Sequence, residues 1–208
     1  MLEQFQPTYP IPRRFETKRL MLRQFEMSDA EEYYDLEQEG LKQHMAQFMP
    51  GVPSDGLRTE GIREMREKIR TTIDRWETDN EYRFLIREKG KDAIIGQIAI
   101  TSILRNVAQS AFIGYWIGNN WLNNGYATEA TAAMLGFAFE RLGLHRISIW
   151  IAPENVASLR VVEKLGIRFE GTALRALFQG GKWADTHIFA ITSEEWTEKS
   201  NDIKKYYL

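Results

Sequence analysis

Apolar positions along this chain recur at two spacings, and the switches between them mark its elements. Residues 19–25 alternate, with Leu20 and Leu22 on one side and Met21 and Arg23 on the other, which predicts a strand. Ser28 and Asp29 can cap a helix over 30–37, with Glu31 and Glu32 well placed in its first turn. Residues 38–57 lose all periodicity around Gly40, Pro50, Gly51, Pro53 and Gly56. A long charged helix is predicted over 59–77, where Ile62, Met65, Ile69, Ile73 and Trp76 recur every three or four positions. Residues 82–87 and 94–101 read as two strands joined by a turn at Lys89-Gly90-Lys91-Asp92.

The densest apolar stretch lies in the middle. Phe112, Ile113, Tyr115, Trp116 and Ile117 read as a strand, and residues 118–124 as an Asn-rich loop. Gly125, Tyr126 and Ala127 open a helix over 128–142 of Ala, Met, Leu, Phe and Glu, with Gly143 where a C-terminal glycine belongs. Ala130, Ala132, Ala133, Leu135 and Ala138 leave it almost no polar face, so it is expected to lie buried against a sheet. Its first turn then presents free backbone N–H groups, a ready anion site, and Gly125 lets a phosphate come close. The chain lacks the Gly-Lys-Ser/Thr of nucleotide hydrolases. It also lacks the three clustered glycines of dinucleotide sites, since Gly118 and Gly125 stand seven apart.

Beyond the helix, residues 146–152 alternate as another strand, and Asn155 can cap a helix carrying Leu159, Val162 and Leu165 that stops at Gly166. Residues 174–178 and 186–192 form a last antiparallel pair around Gly180 and Gly181, and 194–208 is a polar, partly helical tail. Pro7, Pro10 and Pro12 make residues 1–16 an extended arm.

Composition narrows the function classes. The 208 residues carry 27 basic and 29 acidic side chains with no long run of either sign, which argues against direct nucleic-acid binding or a membrane surface. Cysteine is absent and the three histidines (His44, His145, His187) lie far apart, so neither a thiolate nucleophile nor a metal site is expected. No apolar stretch reaches membrane-spanning length, and the start does not read as a signal peptide. One domain over 1–208, with a tail over 197–208, in the cytoplasm, is the expectation.

Gly114-Tyr115-Trp116-Ile117, Asn124-Gly125-Tyr126-Ala127-Thr128-Glu129-Ala130, Asn155-Val156-Ala157-Ser158 and Glu163-Lys164-Leu165-Gly166 resemble the GCN5-related N-acetyltransferases. Thr17-Lys18-Arg19-Leu20-Met21-Leu22-Arg23, Gly181-Lys182-Trp183 and Glu194-Glu195-Trp196 are most similar to the ribosomal-protein alanine N-acetyltransferase subgroup. The resemblance implies an α+β fold with a mixed, mostly antiparallel sheet whose central strands splay apart, flanked by helices, over residues 17–196. It implies acetyl-coenzyme A as cofactor. Gln/Arg-x-x-Gly-x-Gly/Ala of that family maps onto Leu122, Asn123, Asn124, Gly125, Tyr126 and Ala127, with Leu122 replacing the usual polar residue. Trp116, Ile117, Leu122, Asn124, Gly125, Tyr126, Ala127, Thr128, Asn155 and Ser158 are the implied coenzyme contacts.

The implied chemistry is direct acetyl transfer from a thioester to a primary amine, with strand N–H groups near Tyr115 to Ile117 as oxyanion donors. The tyrosine acid many members carry is Val162 here, and Ser158 is the candidate group at the departing sulfur. The candidate bases are Asp185, His187 and Glu129; Glu129 also suits loop amides near the helix start, and His145 is a weaker candidate. Without a strong base, an α-amine suits the site, being roughly a third neutral near pH 7.5 where a lysine is about 0.1% neutral. A protein N-terminus is the implied acceptor. A small amine or antibiotic drawn by Glu31, Glu32, Glu37 and Glu39, and a non-catalytic acetyl-coenzyme A sensor, are the alternatives. Monomer and homodimer stay open.

Overall fold

The computed structural model describes residues 7–48, 61–91, 93–179 and 181–208. Eight strands form one sheet in the order β1-β2-β3-β4-β5-β6-β8-β7. They are β1 (Arg14–Glu16), β2 (Leu20–Gln24), β3 (Tyr82–Glu88), β4 (Ile94–Leu104), β5 (Ser110–Ile117), β6 (Arg146–Ile151), β7 (Arg168–Gln179) and β8 (Lys182–Thr192). The helices are α1 (Ala30–Gly40), α2 (Ile62–Glu77), α3 (Tyr126–Gly136), α4 (Val156–Lys164) and α5 (Ser193–Lys204). Every strand pair is antiparallel except β5 with β6. The expected mixed sheet with flanking helices is therefore present.

Two apolar layers cover the sheet. Phe25, Tyr33, Leu36, Met65, Ile69, Leu85 and Trp116 join α1 and α2 to one face. Leu20, Phe84, Ile98, Ile113, Ile147, Leu135, Val162 and Trp196 join α3, α4 and α5 to the other. β2 alternates as its sequence does, with Leu20 and Leu22 fully buried. α3 buries nearly every residue, as its composition requires.

Differences from the sequence reading have local causes. The arm adds an eighth strand, because Arg14, Phe15 and Glu16 pair with Arg23, Leu22 and Met21 along an open sheet edge. The α3 segment widens into a π-turn over Phe137–Arg141 before Gly143, which has φ of 60°. The last hairpin is longer than 174–178 and 186–192, because bulges with Arg175 at φ 50° let irregular residues stay paired. The tail forms α5, started by a reciprocal cap between Thr192 and Glu195. α1 runs on to Gly40 and a turn follows to residue 48; the rest of the 38–57 reading, and the 59–60 start of the long helix, lie outside the described residues.

Candidate active site

The site grows from one interruption in the sheet. β5 and β6 run parallel but pair over only three residues, Ser110 with Arg146, Ala111 with Ile147 and Phe112 with Ser148. Past Phe112 the strands separate. The Gly118 N–H donates to Ile95 O at 2.8 Å, so by strand alternation the Trp116 N–H also faces β4. The N–H groups of Tyr115 and Ile117 therefore face the opening. A cleft of about 600 Å³ fills it, lined by β5, the β5–α3 loop and the start of α4.

The loop is built to present backbone. Its Asn119–Trp121 turn closes through the Trp121 N–H to Gly118 O at 3.0 Å, and Gly125 then turns left-handed at φ 77° to start α3. The first intrahelical bond runs from the Glu129 N–H to Gly125 O, which leaves the N–H groups of Tyr126, Ala127 and Thr128 without intrahelical partners. A Cβ on Gly125 would meet only Arg19 Nη2, at 3.5 Å. Arg19 braces the loop from behind: Nη1 donates to Asn124 O at 2.9 Å and the guanidinium lies 4.7 Å from the Tyr126 ring centre.

Across the opening, Asn155 Oδ1 accepts the Ser158 N–H at 3.1 Å and caps α4. That bond leaves the Asn155 amide donors and the Ser158 hydroxyl for the cleft. Two buried polar atoms of the lining have no hydrogen-bond partner, Tyr115 Oη and Trp116 Nε1. Burial holds the Tyr115 phenol well above the ordinary tyrosine range, opposed only by the nearby Ser158 hydroxyl.

The residues named from sequence fall into two groups. Trp116, Ile117, Leu122, Gly125, Tyr126, Ala127, Thr128, Asn155 and Ser158 all line the cleft. Asn124 stands beside it, its side-chain amide donating back to Trp121 O and Leu122 O. Asp185 lies outside, on β8, where Oδ1 accepts the Arg175 N–H at 2.8 Å and holds the β7 bulge. The other candidate bases are outside too. Glu129 accepts from Thr17 and Arg19. His187 Nδ1 lies 2.9 Å from Thr172 Oγ1, and His145 Nε2 pairs with Glu194.

The comparisons agree with this geometry. The acetyltransferase (GNAT) domain family matches residues 19–168. The "Probable N-acetyltransferase YjcK" of Bacillus subtilis is 34% identical over 178 residues, covering 86% of this chain and 96% of that protein. The chain belongs to the GNAT acetyltransferase family. It is an N-acetyltransferase. The [Ribosomal protein uS5]-alanine N-acetyltransferase of Escherichia coli is 31% identical over 104 residues, covering 50% of this chain and 54% of that protein. Among solved structures, Mycobacterium smegmatis RimJ in complex with CoA-disulfide superposes with a TM-score of 0.82 at 26% identity, covering 95% of each chain.

In GNAT terms the structure adds lining residues that sequence reading passed over. Met45 and Phe48 reach the cleft from beyond α1 and Trp121 from the loop, while Arg160 and Lys164 line it one turn apart on α4. The i, i+4 spacing of Arg160 and Lys164 was a readable sign that both share a helix face. Met45 and Phe48 sit in the aperiodic segment and carried no such sign. Glu154 is the one carboxylate of the lining among the described residues.

Proposed function

We propose that this GNAT chain transfers the acetyl group of acetyl-coenzyme A to the α-amine of a protein N-terminus, of the ribosomal-protein alanine type. The carrying observation is the opening between β5 and β6. One wall offers the Gly125 backbone and the free amides of α3, which suit a diphosphate. The strand amides of Tyr115 and Ile117 suit an amide-bearing arm and a developing oxyanion. Two residues of the lining, Tyr115 and Trp116, carry buried donors without a hydrogen-bond partner, one on each face of the sheet. Trp116, Ile117, Gly125, Tyr126, Ala127, Thr128, Asn155 and Ser158 would hold the coenzyme, which supplies an acyl thioester.

Charge supports the acceptor class. A polycationic acceptor needs acidic walls, yet Glu31 pairs with Arg66, Glu32 with Arg87, and buried Glu37 with Lys68, all away from the cleft. An acceptor amine that is partly neutral on its own needs no such wall. The relative named a [Ribosomal protein uS5]-alanine N-acetyltransferase, whose name carries an alanine of a ribosomal protein as acceptor, supports the same choice. Acetylation of a panel of N-terminal peptides, polyamines and aminoglycosides, read by mass, is the test. Mass gain confined to peptide α-amines is expected; gain confined to the small cations refutes the acceptor class.

A further inference from the structure

Val162 stands where many GNAT members carry a tyrosine acid, so α4 offers the departing sulfur no phenol and only the Ser158 hydroxyl. A phenol is nonetheless present, supplied by the opposite wall. Tyr115 comes from β5, on the same sheet face as Ile113 and Ile117, and its Oη is buried in the cleft with no hydrogen-bond partner. Ser158 reaches the same space from the first turn of α4. The Ser158 hydroxyl lies near the phenol and favours its ionised form, and Tyr115 Oη makes no hydrogen bond of ordinary geometry. A buried donor without a partner costs roughly 1–3 kcal/mol, a cost that a ligand acceptor removes.

We infer that Tyr115 Oη holds the proton that the leaving sulfur takes, with Ser158 beside it orienting the exchange. The inference rests on the coenzyme reading above. As the acceptor nitrogen bonds to the acyl carbon, the C–S bond breaks and the sulfur takes the phenol proton. The nitrogen releases its extra proton to water, and the phenolate recovers one from solvent. Tyr115 holds its proton at neutral pH as any tyrosine does, and where Oη is shielded from water its hydrogen bond to a thiolate is strong. The other titratable side chains lining the cleft among the described residues are Tyr126, Glu154, Arg160 and Lys164. Tyr126 Oη is already committed to Glu88 Oε1 at 2.8 Å.

The test uses unacetylated coenzyme A on the full chain, reading thiolate formation by ultraviolet absorbance against pH. A donor aimed at sulfur lowers the bound thiol's pKa, so Tyr115→Phe is expected to raise it by about one unit, tenfold in the ionisation constant. In turnover the same variant should lose about 10²-fold in kcat, more than it loses in acetyl-coenzyme A affinity. Should Tyr115→Phe fail to fold, 3-fluorotyrosine at position 115 keeps the ring with a more acidic phenol and must move the thiol the other way. Identical thiol titration in wild type and Tyr115→Phe overturns the inference. So does a shift seen only in Ser158→Ala. Because this titration needs no acceptor, it stands even if every peptide in the panel goes unmodified. A chain that binds no coenzyme A overturns both readings.

Discussion

Glu129 grips Arg19 across 110 positions of sequence, accepting its backbone N–H on Oε1 and its Nε on Oε2, each at 2.7 Å. The carboxylate is almost wholly buried at the start of α3, and Thr17 Oγ1 adds a third bond at 2.6 Å. Arg19 also donates from Nη1 to Asn124 O, so one buried charge sets the position of the loop before Gly125. Glu129→Gln keeps the shape but removes the charge. It should cost about 1–3 kcal/mol in urea unfolding and weaken acetyl-coenzyme A binding by calorimetry. Wild-type values for both would detach the loop from this brace.

Gly125→Ala tests the loop itself. The methyl group has room, so the expected damage comes from φ of 77°, where a Cβ costs roughly 1–2 kcal/mol. The thermal upshift given by acetyl-coenzyme A should shrink sharply, since a relaxed backbone turns its amides away from the ligand. An undiminished upshift places the phosphates elsewhere.

The pH profile separates an enzyme base from none. With an α-amine acceptor and no dedicated base, kcat/KM should rise with pH and level off near the acceptor's own pKa of about 8. Acceptors with lower amine pKa should carry the inflection down with them. Asp185→Asn and His187→Gln should leave it in place, their side chains being outside the cleft. Glu154→Gln is the decisive variant: an inflection that stays fixed across acceptors and vanishes with it names Glu154 as base.

Glu170 is one contributor to acid stability. Arg146, and then Arg168, hold the Glu170 carboxyl down to about 2, against 4.5 for the free group. A lowered folded pKa means stability fully present above about pH 4.5 and lost as pH falls toward 2. Glu170→Gln should therefore flatten the stability loss across that window and lower stability at neutral pH. Added salt should shrink the difference, because the cluster is partly exposed. Parallel stability–pH curves for the two proteins would show the cluster idle.

Most of this architecture was legible because local signals and packing agree. Leu20 and Leu22 alternate and are buried, Asn155 caps α4 as its type suggests, and the Gly125 turn sits where strand chemistry yields to helix chemistry. What stayed hidden depends on meetings between distant segments. Nothing near Glu129 announces that its partners are Thr17 and Arg19. Tyr115 reads as one more aromatic in an apolar strand, and nothing in that pattern signals that its hydroxyl is buried without a hydrogen-bond partner. The arm's strand was masked by its prolines, and nothing near Asp185 announced that its carboxylate accepts the Arg175 N–H at the β7 bulge.

The three-residue seam between β5 and β6 makes this sheet two plates riveted at one corner. Gln109 O adds a bond from each of the His145 and Arg146 N–H groups, and α3 leans on both plates through Ile113 and Ile147. Away from that corner, the exposed edge of β5 is a strand without a neighbour, in the middle of the fold rather than at its rim. A ligand laid along it takes a vacant place in the weave, so occupancy is also reinforcement. The cost is that the molecule is weakest along its working line until that place is filled.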